Sequence, residues 1–276
     1  MNIKSMIFAS ATMVAGISGL PNSASAWDAD DHRVVCEVAH ILTDPSIGAF
    51  VDDILVADAN ADGCLWADKV AETDDYAWSR ENHFINVPAD ATSIDMTRDC
   101  PVEFISGEGG PRSCVVDAVN FYAHQIAATD VDNAQKAIAL KFLGSLMADL
   151  HQPFNVGGAL DRTVSVNGME TTLSALVDQA KPEGSSSDWE RAVSEFAAAI
   201  PVANLAAYAN GNAVDWANES LLLARSLSES AEKANDVLDD AAQENLRTEV
   251  NLQLTKAAVR LARTIEAAAA RYQAAK

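Results

Sequence analysis

The chain has 276 residues, 49% of them hydrophobic, and a formal net charge of −21 at pH 7. A surface this acidic repels polyanions, which excludes a broad basic face for duplex nucleic acid. Beyond the amino-terminal segment no long apolar run occurs, so the sequence indicates a soluble protein with no membrane partner; it leaves the oligomeric state open.

The amino-terminal segment has the organisation of a secretory signal peptide. It carries one lysine, Lys4, and no acid, then an apolar run over 6–20 and the small residues Ala24 and Ala26 around Ser25. A retained membrane anchor is the weaker alternative, because glycine and proline interrupt the short run. We therefore predict a signal peptide over 1–26, a single domain over 27–276, and export to the periplasm or the medium.

The cysteines indicate disulfide bonds, as is usual for an exported chain with an even number of them. Cys100 and Cys114 bracket a loop rich in glycine and proline, which suits a local crosslink, and this would leave Cys36 to pair with Cys64. Two other pairings remain possible from the sequence. A zinc site of thiolates is a poor alternative because no Cys-x-x-Cys occurs.

Apolar residues recur at three- and four-residue spacing along most of the chain, which predicts an all-α fold. The predicted helices cover 30–42, 47–56, 115–128, 133–150, 172–180, 188–199, 214–234 and 241–274. Long loops with brief helix are expected over 62–112. A small hairpin is expected near 163–168, where alternating residues precede Asn-Gly.

The end of the helix over 133–150 is a candidate catalytic or metal corner. Asp149 lies among apolar neighbours, where an unpaired carboxylate is costly, so we expect a cationic group to face it. The other candidates each have an ordinary reading as well: His32 as a solvated first-turn residue, Asp68 as a helix cap, and His83 as part of an edge strand.

Two Ser-x-x-x-Asp pairs are predicted to lie on single helix faces, Ser145 with Asp149 and Ser174 with Asp178. A hydroxyl is a poor zinc ligand. Taken alone, such a pair indicates a helix surface or a hydrogen bond.

Several motifs together resemble the S1/P1 nuclease family over nearly the whole chain after residue 26. They are Trp27-x-x-x-x-His32, Trp66-Ala67-Asp68, His83-Phe84-Ile85, Leu140-Lys141-Phe142-Leu143, Asp149-x-His151-Gln152-Pro153, Trp216-Ala217-x-Glu219-Ser220 and 257–262. The resemblance implies a mainly helical fold related to zinc-dependent phospholipase C. It also implies hydrolysis of single-stranded nucleic acid or 3′-nucleotides at a cluster of three zinc ions.

The resemblance assigns ligands to each zinc ion. The first would be held by the amine and carbonyl of Trp27 with His32 and Asp149, and the second by Asp68, His83 and Asp149. The third would retain Asp178 alone. Asp68 would also have a catalytic role, and Phe84 and Asn86 would form a pocket that binds a nucleobase.

Three ligand positions of the family hold other residues in this chain: Ser145, Asn155 and Ser174 stand where histidines are expected. Ala71 stands where the family has an arginine, with Lys69 nearby. His151 is expected to point away from Asp149 or to support it by hydrogen bonding, and His40 and His124 to be structural. These losses predict one or two zinc ions rather than three.

Two functions are therefore compatible with the sequence. The first is an exported zinc phosphodiesterase with an impaired site. The second is a non-catalytic secreted binding protein that keeps one structural zinc.

Overall fold

The computed structural model describes residues 27–55, 63–102, 113–180 and 189–276. Within them the chain is mostly helical. The α-helices are α1 (Ala29–Leu42), α2 (Pro45–Leu55), α3 (Trp66–Ala71), α4 (Met96–Asp99), α5 (Val115–Ala127), α6 (Asn133–Leu150), α7 (Pro153–Val156), α8 (Leu173–Gln179), α9 (Trp189–Ala199), α10 (Leu205–Ala209), α11 (Ala213–Lys233) and α12 (Asp240–Ala274). This confirms the predicted fold class. The signal peptide predicted over 1–26 lies outside the described residues.

Helix α6 is the central element of the fold. Its side chains are buried on every face from Ala139 to Leu150, and it packs against α1, α2, α3, α5 and α12. A helix that is apolar all round is stable only when other helices cover it. Its amino end is capped by Asp132, whose carboxylate accepts a hydrogen bond from the Gln135 backbone N–H at 2.8 Å. The helix therefore carries Asp149 into the interior on a rigid, fully enclosed support.

A small sheet has the strand order β2-β1-β3, with β1 (Thr163–Val166), β2 (Met169–Thr172) and β3 (Val237–Leu238). The predicted hairpin is confirmed: β1 and β2 are antiparallel, and Asn167 and Gly168 both have positive φ angles, 51° and 77°, as the tight turn requires. Strand β3 pairs parallel with β1. It was not predicted, because two residues give no detectable alternation.

The disulfide bonds join Cys36 to Cys64 and Cys100 to Cys114, which is the pairing favoured by the sequence. The first connects α1 to the turn before α3 and lies against α6 at Gly144. A Cβ atom added there would lie 2.5 Å from the Cys64 Sγ and 2.9 Å from the Cys36 Sγ. Glycine at this position therefore allows the disulfide to contact the central helix.

Among the described residues no single helix is long and apolar enough to cross a membrane. One pair of helical segments, 191–199 and 202–209, passes the length and composition test together, with a bend of 65° between them.

Candidate functional site

Side chains from separate parts of the chain close the carboxyl end of α6. The last carbonyl groups of a helix have no partners within the helix, so they must find them elsewhere. Here the donors are Trp27 Nε1 to the Ala148 oxygen at 2.8 Å, His151 Nδ1 to the Met147 oxygen at 2.7 Å, and Ser220 Oγ to the Leu150 oxygen at 2.7 Å. The turn that carries Asp149 is thus held from several sides.

Four side chains meet at this turn. Asp149 Oδ2 accepts a hydrogen bond from His83 Nδ1 at 2.7 Å, and the same nitrogen lies 3.3 Å from Asp68 Oδ1. His32 Nε2 lies 3.7 Å from both Asp68 Oδ2 and Asp149 Oδ1. The two carboxylates therefore lie between the two imidazoles. We call His32, Asp68, His83 and Asp149 the His-Asp cluster.

The structure excludes the ordinary structural roles that the sequence allowed for His32, Asp68 and His83. His32 is 1% exposed, so it is not a solvated residue of the first turn. Asp68 faces the cluster and makes no cap bond for α3, whose cap position is Leu65. His83 ends a 3-10 helix over Ala77–His83 and belongs to no strand of the described sheet, so it is not part of an edge strand.

The protonation of the cluster follows from its geometry. Burial favours the neutral form of His83, but the carboxylates of Asp149 and Asp68 outweigh it and raise the His83 pKa. Burial raises the pKa of Asp68, against the attraction of His32. Each carboxylate is thus held close to an imidazole nitrogen in a poorly solvated place.

The cluster also contains buried nitrogens without a hydrogen-bond partner among the described residues. They are both ring nitrogens of His32 and Nε2 of His83. Buried polar atoms are normally paired, so unpaired ones at a cluster of carboxylates indicate a missing ligand. The ligand atoms of His32, Asp68 and Asp149 lie within 4.8 Å of one another. Imidazole and carboxylate groups are a donor set that fits a divalent ion such as zinc.

Trp27 is 3% exposed, and its indole is fixed against the carbonyl of Ala148, the residue before Asp149. The following residue, Asp28, caps α1, the helix that carries His32. The segment containing Trp27 is therefore anchored to α6 and leads directly into α1. Whether its α-amine is a ligand stays a prediction.

The three replaced positions make hydrogen bonds to acids. Ser145 Oγ donates to Asp68 Oδ2 at 3.2 Å, and Asn155 Nδ2 donates to Asp149 Oδ1 at 2.9 Å. Ser174 Oγ donates to Asp161 Oδ2 at 2.6 Å, and its backbone N–H donates to Asp161 Oδ1 at 3.0 Å. These donors stabilise the carboxylates without a metal ion.

Asp178 is separated from the His-Asp cluster by Gln152. The Gln152 side chain donates from Nε2 to Asp178 Oδ1 at 3.0 Å, and its Oε1 accepts from the backbone N–H of Asn155 at 2.9 Å. Burial, together with the nearby carboxylates of Asp28, Asp161 and Asp149, raises the Asp178 pKa to about 7. Among the described residues Asp178 has an amide and no imidazole as its hydrogen-bond partner, and carboxylates without an imidazole do not fit a third zinc ion.

Gln152 and Asp161 were missed by the sequence analysis as site residues. Gln152 stands in one of the family motifs, but its partner Asp178 is 26 residues away in the sequence. Nothing in the local sequence of Asp161 indicates that it receives the Ser174 hydroxyl.

The predicted base-binding residues follow His83 along the chain. Phe84 follows His83 and is half-buried, with its ring centroid 6.4 Å from that of the His83 imidazole. Asn86 is exposed. Ala71, where an arginine was expected by resemblance, is 3% exposed and supplies no charge.

Comparison with known proteins gives a family for this arrangement. The model of the S1/P1 Nuclease family matches residues 27–270. The chain is 35% identical to Endonuclease 2 of Arabidopsis thaliana over 144 residues, which are 49% of this chain and 47% of that protein.

More distant relatives match a similar extent. Endonuclease 3 of Arabidopsis thaliana is 27% identical over 51% of this chain and 48% of its own length. Nuclease P1 of Penicillium citrinum is 27% identical over 47% of each protein. The matched part of the chain thus spans about half the length of each of these relatives. By the match of the family model over 27–270, the chain belongs to the S1/P1 nuclease family.

Proposed function

We propose that this protein is an exported metal-dependent phosphodiesterase that hydrolyses single-stranded nucleic acid or 3′-nucleotides. The single observation that carries the proposal is the buried His-Asp cluster, which has unpaired imidazole nitrogens in a chain of the S1/P1 nuclease family. We infer one or two zinc ions bound by His32, Asp68, His83 and Asp149, with Trp27 completing the set. When bound, such an ion supplies a water nucleophile at neutral pH and withdraws charge from the phosphate.

Other steps of the proposed reaction are assigned to side chains of the protein. Asp68 is the most exposed member of the cluster, with a side chain 34% exposed, against 4% or less for the other three. It is therefore the carboxylate that can orient a water molecule and take up its proton beside the substrate. Phe84 offers a ring on which a base can stack, and the amide of Asn86 can hydrogen-bond to it.

Reduced activity is part of the proposal. Ser145 and Asn155 supply hydrogen bonds where nitrogen ligands are expected by resemblance, and Ala71 leaves no arginine beside the phosphate. Electrostatic stabilisation of the transition state is usually the largest contribution to such a rate, so these losses remove several kcal/mol. The charge of −21 also slows the approach of long polyanions, which favours short substrates.

Export is supported by the disulfide bonds, which persist in oxidising compartments. The second candidate, a binding protein with one structural zinc, is favoured by the hydrogen bonds that satisfy Asp68 and Asp149 without a full ligand set. A nucleotide, a phosphate or a protein would then be its partner.

The test is to count metal ions in the purified chain that begins at Trp27 and to assay cleavage of single-stranded DNA. The proposed enzyme binds at least one zinc ion and loses cleavage when a chelator removes it. His32→Asn should lose both properties, whereas His40→Asn, an exposed histidine on the same helix, should keep them. One bound zinc with no cleavage would favour the binding protein, and no bound metal would refute both.

A further inference from the structure

A buried arginine lies behind the turn that carries Asp149. Arg260 of α12 is 1% exposed, and each of its nitrogens donates a hydrogen bond. Nε donates to the Tyr208 oxygen at 2.8 Å, Nη1 to His151 Nε2 at 2.8 Å, and Nη2 to Glu219 Oε1 at 2.8 Å. The guanidinium also lies 5.1 Å from the ring of Trp216. It is thus held in one orientation by partners on three sides.

The contact with Arg260 fixes which nitrogen of His151 carries the proton. A guanidinium can only donate, so His151 Nε2 must accept. The proton therefore lies on Nδ1, which donates it to the Met147 oxygen at 2.7 Å. Neither ring nitrogen of His151 bonds to Asp149 itself.

These bonds enclose Asp149. His151 stands two residues after it, and the Met147 carbonyl to which the imidazole donates belongs to the residue two before it. The adjacent helix α11 contributes the Ser220 hydroxyl to the Leu150 carbonyl, and the same helix carries Glu219. His151 therefore joins the last turn of α6 to the ion pair of the buried Arg260 with Glu219.

We propose that Arg260 and His151 are positioning residues that hold the Asp149 carboxylate in the direction needed by the His-Asp cluster. This rests on the proposed function, because it assigns the pair to the same metal site. A helix end needs only neutral donors to satisfy its carbonyls, and an isolated buried charge is costly. A buried guanidinium with a fixed fork of donors instead gives a single orientation to its acceptor.

The test uses His151→Asn as the main variant. The asparagine Nδ2 can still donate to the Met147 carbonyl, whereas its side chain is too short to accept from Arg260. The variant therefore keeps a hydrogen bond to the Met147 carbonyl at the end of α6 and removes the hydrogen bond from the Arg260 guanidinium. Arg260→Met breaks the same link from the other side, and it serves as the second variant.

Lys256→Ala is the matched control. Lys256 Nζ donates to Glu219 Oε2 at 2.9 Å, within the same charged group; among the described residues it makes no hydrogen bond to His151, on which it acts only through its charge. Both variants and the control are melted in the presence of a chelator, so that any general loss of stability is measured separately from the effect on the site.

Two readouts follow in each protein. The first is zinc affinity by competition with a chromophoric chelator; we expect a loss of 10- to 100-fold in His151→Asn and a change within about twofold in Lys256→Ala. The second, in the zinc-free protein, is the downfield proton resonance of the His83 to Asp149 hydrogen bond, assigned by its loss in His83→Asn. It should move or broaden in His151→Asn and stay in Lys256→Ala.

The proposal is overturned if His151→Asn leaves the proton resonance and the zinc affinity unchanged, or if Lys256→Ala alters both equally. If the unmodified chain binds no zinc, the proposed function fails, and the proton resonance alone still decides whether Arg260 and His151 position Asp149.

Discussion

The side-chain amide of Asn155 donates a hydrogen bond to Asp149 Oδ1 at 2.9 Å, next to the oxygen that receives His83. Both oxygens of the buried carboxylate are therefore partnered by the protein. A neutral amide can satisfy a lone pair, but it supplies no positive charge. Asn155 thus lowers the cost of burying the Asp149 carboxylate without a metal ion. It does not supply the nitrogen ligand that a histidine would offer to a metal ion.

Restoring the missing histidines should restore metal binding. The triple variant Ser145→His, Asn155→His and Ser174→His places imidazoles beside Asp68, Asp149 and Asp161, so we expect at least one additional zinc ion and a gain in cleavage. Metal counting after dialysis measures it. Gln273→His, at an exposed position of α12 with no histidine or acid three or four residues away, is the control for adventitious binding by an added histidine. A triple variant that holds no more zinc than its parent shows that the three positions do not face metal sites.

A residue added before Trp27 should weaken metal binding. If the α-amine is a ligand, one extra glycine converts it to an amide without lone-pair basicity, and we expect affinity to fall by at least about tenfold. The indole contact with the Ala148 carbonyl is unaffected by this change. Competition with a chelator compares the two chains, and equal affinities would remove the amine from the ligand set.

Gly144→Ala should destabilise the protein, because the added methyl group would overlap the Cys36–Cys64 disulfide. Overpacking of this kind costs about 1–3 kcal/mol. Gly48→Ala in α2 is the matched control: nothing lies within 4 Å of its added Cβ, and the change should stabilise by about 0.5–1 kcal/mol. Urea unfolding of both variants measures the difference. A neutral Gly144→Ala would mean that the disulfide does not contact α6 closely.

Asp178→Asn should change stability in a pH-dependent way. The folded-state pKa of Asp178 is raised to about 7, so above pH 7 folding requires a charged carboxylate in a buried, acid-rich place. As the pH falls from 7 towards 4 the folded form takes up a proton that the unfolded chain does not, and this group stabilises the fold increasingly. Asparagine should therefore raise the melting temperature more at pH 8 than at pH 5, by the equivalent of about 1–3 kcal/mol.

The measurement is a thermal melt of the chelator-treated protein at both pH values. Asp130→Asn, at an exposed loop position, is the control and should change little at either pH. A gain of the same size at pH 5 and pH 8 would place Asp178 in an ordinary solvated environment.

The helices were predictable because each repeats an apolar spacing over several turns. The predicted bounds of α6 are those observed, and those of α1, α5, α8, α11 and α12 differ by one residue at one or both ends. Local patterns did not predict how the short run after His83 is held in place. Its backbone bonds go to distant partners, from the Ile85 N–H to the Asn155 oxygen and to the Phe84 oxygen from the Val115 N–H, and no local pattern reveals these.

The sequence identified which residues form the site but not how they are arranged. The motifs identified His32, Asp68, His83 and Asp149, and the structure brings them together. They could not show that Asp68 lies between both imidazoles, since this depends on how α3 packs against α6. The role of Arg260 was hidden for the same reason, because its partner His151 is 109 residues away in the sequence.

The four members of the His-Asp cluster come from α1, α3, the 3-10 helix over Ala77–His83 and α6, and the unfolded chain holds no two of them together. A metal ion bound as proposed could therefore bind tightly only after these elements have packed together, so it would join the molecule last. A ligand that binds only the folded form adds stability in proportion to the logarithm of its concentration, about 2.7 kcal/mol at a hundredfold excess over Kd. If the protein is exported and binds zinc as proposed, its lifetime would depend on the zinc content of its surroundings.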